Sequence, residues 1–449
     1  MTTRVIIVRH GESSYNVERR VQGHCDLSRL TAKGESMAVQ VATALKEISL
    51  NAAYSSPLNR AKRTAELILS NSDHAPQLQI SENLKEISLP LWEGLLFDEV
   101  EDKYPDEYHD WRTQPHLLTM SLSDENGSVD FLPVPAIYEQ ARQFWQTTLP
   151  DHAGQTILIV AHSGINRALI NTAIGLDPED YQRFHISNCG ISILNFSGEF
   201  GQPAQIESLN ITSHLGETLP PRKSKSQGLR LLLVRHGETE WNRQGRFQGQ
   251  IDVPLNENGR SQAAQAGEFL KSVQIDHAIS SSMLRPKETA EIILQHHPDL
   301  ELELRDDLRE ISHGLWEGKL EAEIEQSYPG LLHQWQQHPE TVQMPKGENL
   351  QAVWDRAIAA WKSIINAVAT RPTNEPCTIL VVAHDAINKA ILCHVSGLGA
   401  EAFWNFKQGN GAVSVIGYPQ GVEAAPLMQA MNITTHLGGV LDKTAAGAL

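Results

Sequence analysis

RVIIVRHGESSYN, residues 4–16, and RLLLVRHGETEWN, residues 230–242, are one motif written twice in a chain of 449 residues. The two histidines stand 236 − 10 = 226 positions apart, and later pairs keep nearly that spacing. Gln22 and Gln248 lie 226 apart, Arg60 and Arg285 225, Glu86 and Glu310 224, and His162 and His384 222. LNITSHL (209–215) is answered by MNITTHL (431–437), again at 222. A drift of about four residues over such a length is what short loop deletions produce, so the chain reads as a tandem duplication. Its length agrees, because domains of roughly 100–200 residues imply two or three folding units.

Each half has the same order of elements. The apolar, β-branched runs VIIV and LLLV read as strands buried on both faces that end at the Arg-His pair. A turn-rich loop and an amphipathic helix follow, with Thr31 as N-cap in the first copy and Asn256 or Asn258 in the second. AAYSS and HAIS read as short strands, each leading to a helix that carries the next arginine. In the first of these, Ser56 is placed as N-cap and Pro57 as the first helical residue. TILIVAH and TILVVAH are strands running straight into a histidine. This alternation predicts an α/β fold with a mainly parallel sheet in each half, and both histidines fall at carboxyl ends of strands, where such sheets bind ligands. The expected boundaries are 1–215 for the first domain, 216–228 for an exposed linker (GETLPPRKSKSQG), 229–437 for the second domain and 438–449 for a fraying tail.

Composition narrows the function classes. Hydrophobic residues at 41% and charged residues at 20% describe an ordinary globular protein. The net charge of −17 argues against nucleic acid or an anionic membrane as partner. The four cysteines show no metal-type or CxxC spacing and read as buried thiols, with no metal site. The apolar run before Arg9 is too short for a signal-peptide core and no stretch reaches ~18 apolar residues, so the expected location is cytoplasmic.

A phosphomonoester can be cleaved with a nucleophile, a proton for the leaving alkoxide and cations aimed at the phosphoryl oxygens. Each half supplies all three, and no cofactor is implied. In the first, His10 is the candidate nucleophile, kept unprotonated by Arg9 beside it. Arg9, Arg60 and His162 form the expected cationic clamp, with Ser13 and Asn16 as neutral donors. The second half repeats the set as Arg235, His236, Arg285 and His384, with Thr239 and Asn242. The proton donor should be a carboxyl that stays protonated near neutral pH beside a phosphate dianion. Glu86 in NLKEISLPLWEG and Glu310 in DLREISHGLWEG are the candidates, with Glu93 and Glu317 as loop supports. Trp92 and Trp316 read as core anchors.

These motifs resemble the histidine phosphatase superfamily, also called phosphoglycerate mutase-like, over essentially both halves. VRHGESSYN and VRHGETEWN carry the likeness, together with the SSxLxR helices, the LWEG segments and the VAH strand ends. The resemblance implies two three-layer α/β/α domains and a phosphohistidine at His10 or His236. It also implies acid/base roles for Glu86 and Glu310, a phosphate pocket of the arginines and second histidines, and no metal. The tryptophan-leucine-asparagine-glutamate-arginine segment typical of cofactor-dependent phosphoglycerate mutases is absent around either glutamate, and the WEG form is similar to the phosphatase branch. In DLSRLTAKGESMA, NLKEISLPLWEGLL and SNCGISILNF the first half resembles the 2-carboxyarabinitol 1-phosphate phosphatases, which points to a small phosphorylated metabolite of the sugar-phosphate kind. Mutase-type phosphoryl transfer is the alternative, as is one half serving as a non-catalytic sensor or partner domain.

Three departures are expected to matter. Leu89-Pro90 replaces His313-Gly314 and should shift the loop holding Glu86. Asp385 stands where Ser163 does, and should oppose phosphate unless turned away. Pro286 after Arg285 should make that helix start later. The segments that differ most, residues 97–151 and 319–374, are expected to cap the pockets and set specificity, with SLSDENGSVD (121–130) as a mobile polar stretch.

Overall fold

The computed structural model describes residues 2–71, 74–124, 127–202, 204–222, 228–369 and 376–445. The chain divides into two compact units, Met1–Glu217 and Thr218–Leu449.

In the first unit the order is β1 (Thr3–Arg9), α1 (Ser14–Glu18), α2 (Ala32–Ala44), β2 (Ala52–Ser55), α3 (Asn59–Leu69), β3 (Leu78–Ile80), α4 (Phe97–Lys103), α5 (Pro105–Thr113), β4 (Met120–Asp124), β5 (Gly127–Phe131), α6 (Pro133–Thr148), β6 (Thr156–Ala161), α7 (Ser163–Ala173), β7 (Ile191–Phe196) and β8 (Ala204–Ile211). Its sheet runs β3-β2-β6-β1-β7-β8. The four strands from β3 to β1 are parallel, and β7 and β8 are antiparallel additions. Val5, Ile6, Ile7 and Val8 are all at most 1% exposed, which requires cover on both faces of β1. Right-handed crossovers provide it: the chain moves outward from β1 through α2 and α3, then returns through α6 to β6, so the two helix sets fall on opposite faces. The result is a three-layer α/β/α unit.

The second unit repeats this with β9 (Leu229–Arg235), α8 (Glu240–Gln244), α9 (Glu257–Leu270), β10 (His277–Ser281), α10 (Leu284–Ile293), β11 (Leu302–Arg305), α11 (Glu321–Ser327), α12 (Leu331–Gln337), α13 (Leu350–Ala369), β12 (Cys377–Ala383), α14 (Asp385–Ser396), β13 (Val413–Tyr418) and β14 (Leu427–Ile433). Its sheet order, β11-β10-β12-β9-β13-β14, is the same topology.

Several local expectations are met. Thr31 and Asn256 cap α2 and α9, accepting the Gly34 and Gly259 N–H at 3.0 and 2.7 Å. Trp92 and Trp316 are buried. Of the cysteines, Cys189 and Cys393 are buried as expected, whereas Cys25 and Cys377 are only half-buried.

Others are corrected. Ser56 does not cap α3: the helix begins at Asn59 after Leu58, and the cap comes from Asp26, whose Oδ1 accepts the Asn59 N–H at 2.8 Å. Asp252 does the same for Leu284 at 2.8 Å. Helix α10 does not start later, because it begins at Leu284, the register equivalent of Asn59, but Pro286 does lie in its first turn, as the third residue. An N–H at that position has no intrahelical acceptor, so proline costs nothing there. In SLSDENGSVD the residues on either side of Glu125 and Asn126 belong to the antiparallel strands β4 and β5, paired from Met120–Phe131 to Asp124–Gly127; Glu125 and Asn126 themselves lie outside the described residues. Part of the expected exposed linker is packed: Leu219 is buried and Arg222 donates to Gly228 O, Cys377 O and Thr378 Oγ1, while residues 223–227 lie outside the described residues. The tail is held as far as Thr444, because Asp442 pairs with Lys407 at 3.4 Å and accepts from Thr444 N at 2.9 Å; residues 446–449 are outside the described residues.

Candidate active site

Strand β1 ends by delivering Arg9 and His10 to the carboxyl edge of the sheet, beside the end of β6, where His162 begins α7. The two imidazoles meet edge-on with centroids 5.2 Å apart. His10 Nδ1 is 2.8 Å from Gly11 O. A carbonyl can only accept, so the ring proton sits on Nδ1 and Nε2 keeps its lone pair. The second unit states this more strongly: His236 Nδ1 is 2.7 Å from Gly237 O, and Arg285 Nε donates to Nε2 at 3.2 Å. Burial, then the neighbouring arginines, hold both histidines well below the ordinary imidazole pKa.

Gly11 is required by close packing. A Cβ there would lie 2.3 Å from Gly34 O in the first turn of α2, and one on Gly237 would lie 2.3 Å from Gly259 O. The Gly11 and Gly237 N–H groups donate to Thr64 and Thr289 Oγ1, both at 3.1 Å.

Arg60 is 1% exposed and is aimed by two loop carbonyls, donating from Nη1 to Cys25 O at 3.0 Å and from Nη2 to Gly23 O at 2.9 Å. Arg9 donates from Nη1 to Ile186 O at 2.9 Å. Burial lowers Arg9 to about 10, so it stays charged at neutral pH. The Nε groups of Arg9 and Arg60 and Nδ1 of His162 are buried without hydrogen-bond partners among the described residues. Buried donors of this kind are costly unless an acceptor arrives, and an oxyanion can supply one. His162 differs from expectation in charge. Burial and Arg60 push it well below the ordinary range, and Ser56 Oγ, already accepting the Leu58 N–H, lies 2.8 Å from Nε2. It therefore offers a neutral N–H, not a cation.

Glu86 is fixed across the helix start. Its carboxylate accepts from Gly164 N and Ile165 N, each at 3.1 Å, and from Ile87 N at 2.9 Å. Glu310 repeats this with Asp385 N and Ala386 N at 3.1 Å and Ile311 N at 3.0 Å. The Leu89-Pro90 exchange therefore does not move Glu86: the backbone of α7 sets its position, and that backbone is unchanged. Burial raises the Glu310 pKa. Glu93 and Glu317 brace the loops, accepting from His24 N at 2.8 Å and Gln250 N at 3.0 Å.

Ser13 and Asn16, like Thr239 and Asn242, bond first to each other, Ser13 N and Thr239 N each donating to the asparagine Oδ1 at 3.1 Å. Asn188 and Asn410, which the sequence reading passed over, tie these pairs to the motif through His10 O at 2.9 Å and His236 O at 3.1 Å. Thr64 and Asp26 were passed over too, and Ser56 was read only as a helix cap. Their signal was available, because each recurs in register as Thr289, Asp252 and Ser281.

Asp385 is not turned away. It lies 3.2 Å from Arg235 Nη1 and 2.8 Å from Lys389 Nζ, with all three side chains nearly fully buried. A fixed carboxylate thus already pairs with Arg235, one of the arginines expected to face phosphate in the second unit.

The profile of the histidine phosphatase superfamily (branch 1) matches residues 5–211 and again 231–430. The chain belongs to the histidine phosphatase superfamily. A Triticum aestivum 2-carboxy-D-arabinitol-1-phosphatase is 29% identical over 442 residues, covering 97% of this chain and 86% of the wheat protein. Phosphoserine phosphatase 1 of Hydrogenobacter thermophilus is 34% identical over 47% of this chain and 95% of its own length. A Salmonella choleraesuis protein named "Probable phosphoglycerate mutase GpmB" is 35% identical over 43% of this chain and 86% of its own. With this family and phosphatase relatives over its full length, the histidine phosphatase described here is a hydrolase. Among its described residues no helix is long and apolar enough to cross a membrane.

Proposed function

We propose that this histidine phosphatase hydrolyses small phosphomonoesters of the sugar-phosphate kind, such as 2-carboxyarabinitol 1-phosphate, through a phosphohistidine. The carrying observation is the Nε2 lone pair of His10, set by the Nδ1–Gly11 O hydrogen bond, together with buried donors that lack acceptors among the described residues. In the first step Nε2 attacks phosphorus and the P–O bond to the leaving group breaks, while the Glu86 carboxyl passes its proton to the departing alkoxide. Arg9, Arg60 and His162 Nδ1–H take up the charge spread over the equatorial oxygens. In the second step water attacks the phosphohistidine, giving a proton to Glu86 carboxylate as the P–N bond breaks and His10 is regenerated. Glu310 and His236 carry the same roles in the second unit.

The Asp385–Arg235 contact supports a second reading, in which the second unit binds phosphate more weakly and turns over more slowly. Phosphate release from a sugar-phosphate panel, with chelator, by wild type, His10→Ala and His236→Ala separates these readings. We expect His10→Ala to remove most turnover and His236→Ala to remove the smaller share. Loss confined to His236→Ala would reverse the assignment. Release unaffected by both substitutions together would overturn the mechanism, and bisphosphoglycerate-primed exchange between 2- and 3-phosphoglycerate without net release would favour a mutase.

A further inference from the structure

The two pockets diverge on the glutamate side, where the leaving group of a phosphoester lies. In the second unit the charges there close on themselves: Asp385 bridges Arg235 and Lys389, and the Lys389 ammonium is held 5.0 Å from the Phe403 ring centroid and 4.4 Å from that of Trp404. The register equivalents in the first unit are Ser163, Arg167 and Tyr181, at the common offset of 222. The counter-ion is gone and a hydroxyl has been added.

Arg167 is half-buried on α7, with Nε donating to Phe184 O at 2.9 Å. Among the described residues its guanidinium makes no ion pair with a carboxylate, and its charge is close enough to Arg9 to lower that group. Its Cζ stands 5.1 Å from the Tyr181 ring centroid. Tyr181 is fully buried, and its hydroxyl lies beside the Arg167 guanidinium. That hydroxyl is placed by Gly164: a Cβ built there would lie 2.7 Å from Tyr181 Oη and 2.4 Å from Glu86 Oε1. Oη and the acid are therefore neighbours. In the second unit both features are erased together, as Ala386 and Phe403.

An unbalanced cation and a buried donor beside the acid call for a second anion on the substrate. We infer that Arg167 and Tyr181 form a carboxylate subsite in the first unit, selecting phosphomonoesters that carry a carboxylate near the ester carbon. Asp385 supplies the equivalent negative charge from the protein in the second unit. The inference rests on the phosphatase reading above and deepens it.

The test uses the full chain carrying His236→Ala, so that turnover reports the first unit. It compares kcat/KM for 2-phosphoglycolate with that for 2-phosphoglycolamide, the same ester with a neutral amide. Arg167→Met should lower the acid-to-amide ratio about 10- to 100-fold, the span that a charge-assisted hydrogen bond commands. Tyr181→Phe should lower it by a smaller factor. A ratio unchanged by Arg167→Met overturns the subsite, even where both rates fall together. If neither ester is hydrolysed, the phosphatase reading fails separately. The subsite is then judged by calorimetric Kd values of the two esters on the same proteins, where equal shifts for acid and amide overturn it.

Discussion

His10 does its work by staying neutral. An ordinary histidine with a pKa near 6.5 is about three-quarters protonated at pH 6. Burial, Arg9 and Arg60 all act against the imidazolium, so the His10 pKa is depressed and protonation is deferred to more acidic pH. Nitrogen NMR of the selectively labelled protein should therefore show Nε2 of His10 and His236 unprotonated at pH 6, with the proton on Nδ1. Arg60→Met removes one of the two charges and should move the His10 titration upward, toward but not reaching the ordinary value, because burial remains. An imidazolium signal for His10 at pH 6 in the unaltered protein would contradict this. The neutral His162 belongs to the same scale: arginines supply the fixed charge of the pocket, and the imidazoles supply a lone pair and an N–H.

Helices α3 and α10 show what was and was not legible in the sequence. Their existence, and the presence of Arg60 in the first turn of α3, follow from apolar spacing and from turn residues just ahead, whereas Pro286 misled the reading of where α10 starts. The caps do not follow, because Asp26 and Asp252 reach them from loops 33 and 32 residues away in sequence. A local rule looks at Ser56, finds a capping residue and assigns it; Ser56 instead meets His162 across the sheet. The same limit applies to Glu86, whose three N–H donors come mostly from the start of α7. Repetition in register would have recovered most of these tertiary partners. Substituting Asp26→Ala leaves the exposed Asn59 N–H to water and should cost about 1 kcal/mol of local stability at α3. Hydrogen exchange at the Asn59 amide should then quicken roughly fivefold. Unchanged exchange there would show that the cap is supplied otherwise.

At the level of the whole molecule the duplication preserved two complete sets of the residues proposed as nucleophile, acid and phosphate-facing donors while their surroundings diverged. The sheet order, the motif glycines and the backbone cradle of each glutamate are the same in both units. The differences gather at Ser163 and Asp385, Arg167 and Lys389, and Tyr181 and Phe403, all on the acid side of the pocket. A duplicated enzyme that keeps its phosphate chemistry and changes its leaving-group side is suited to distinguishing between esters. The sequence alone displayed the substitution at Asp385 but not its sense, which depends on the contacts of Asp385 with Arg235 and with the buried Lys389.

The most direct test is to trap the intermediate. Acid-labile, base-stable phosphate should be captured during turnover of a labelled phosphomonoester, and peptide mapping should place it on His10 in the wild-type and His236→Ala proteins and remove that peptide from His10→Ala. Turnover at full rate with no phosphohistidine on either His10 or His236 would contradict the account.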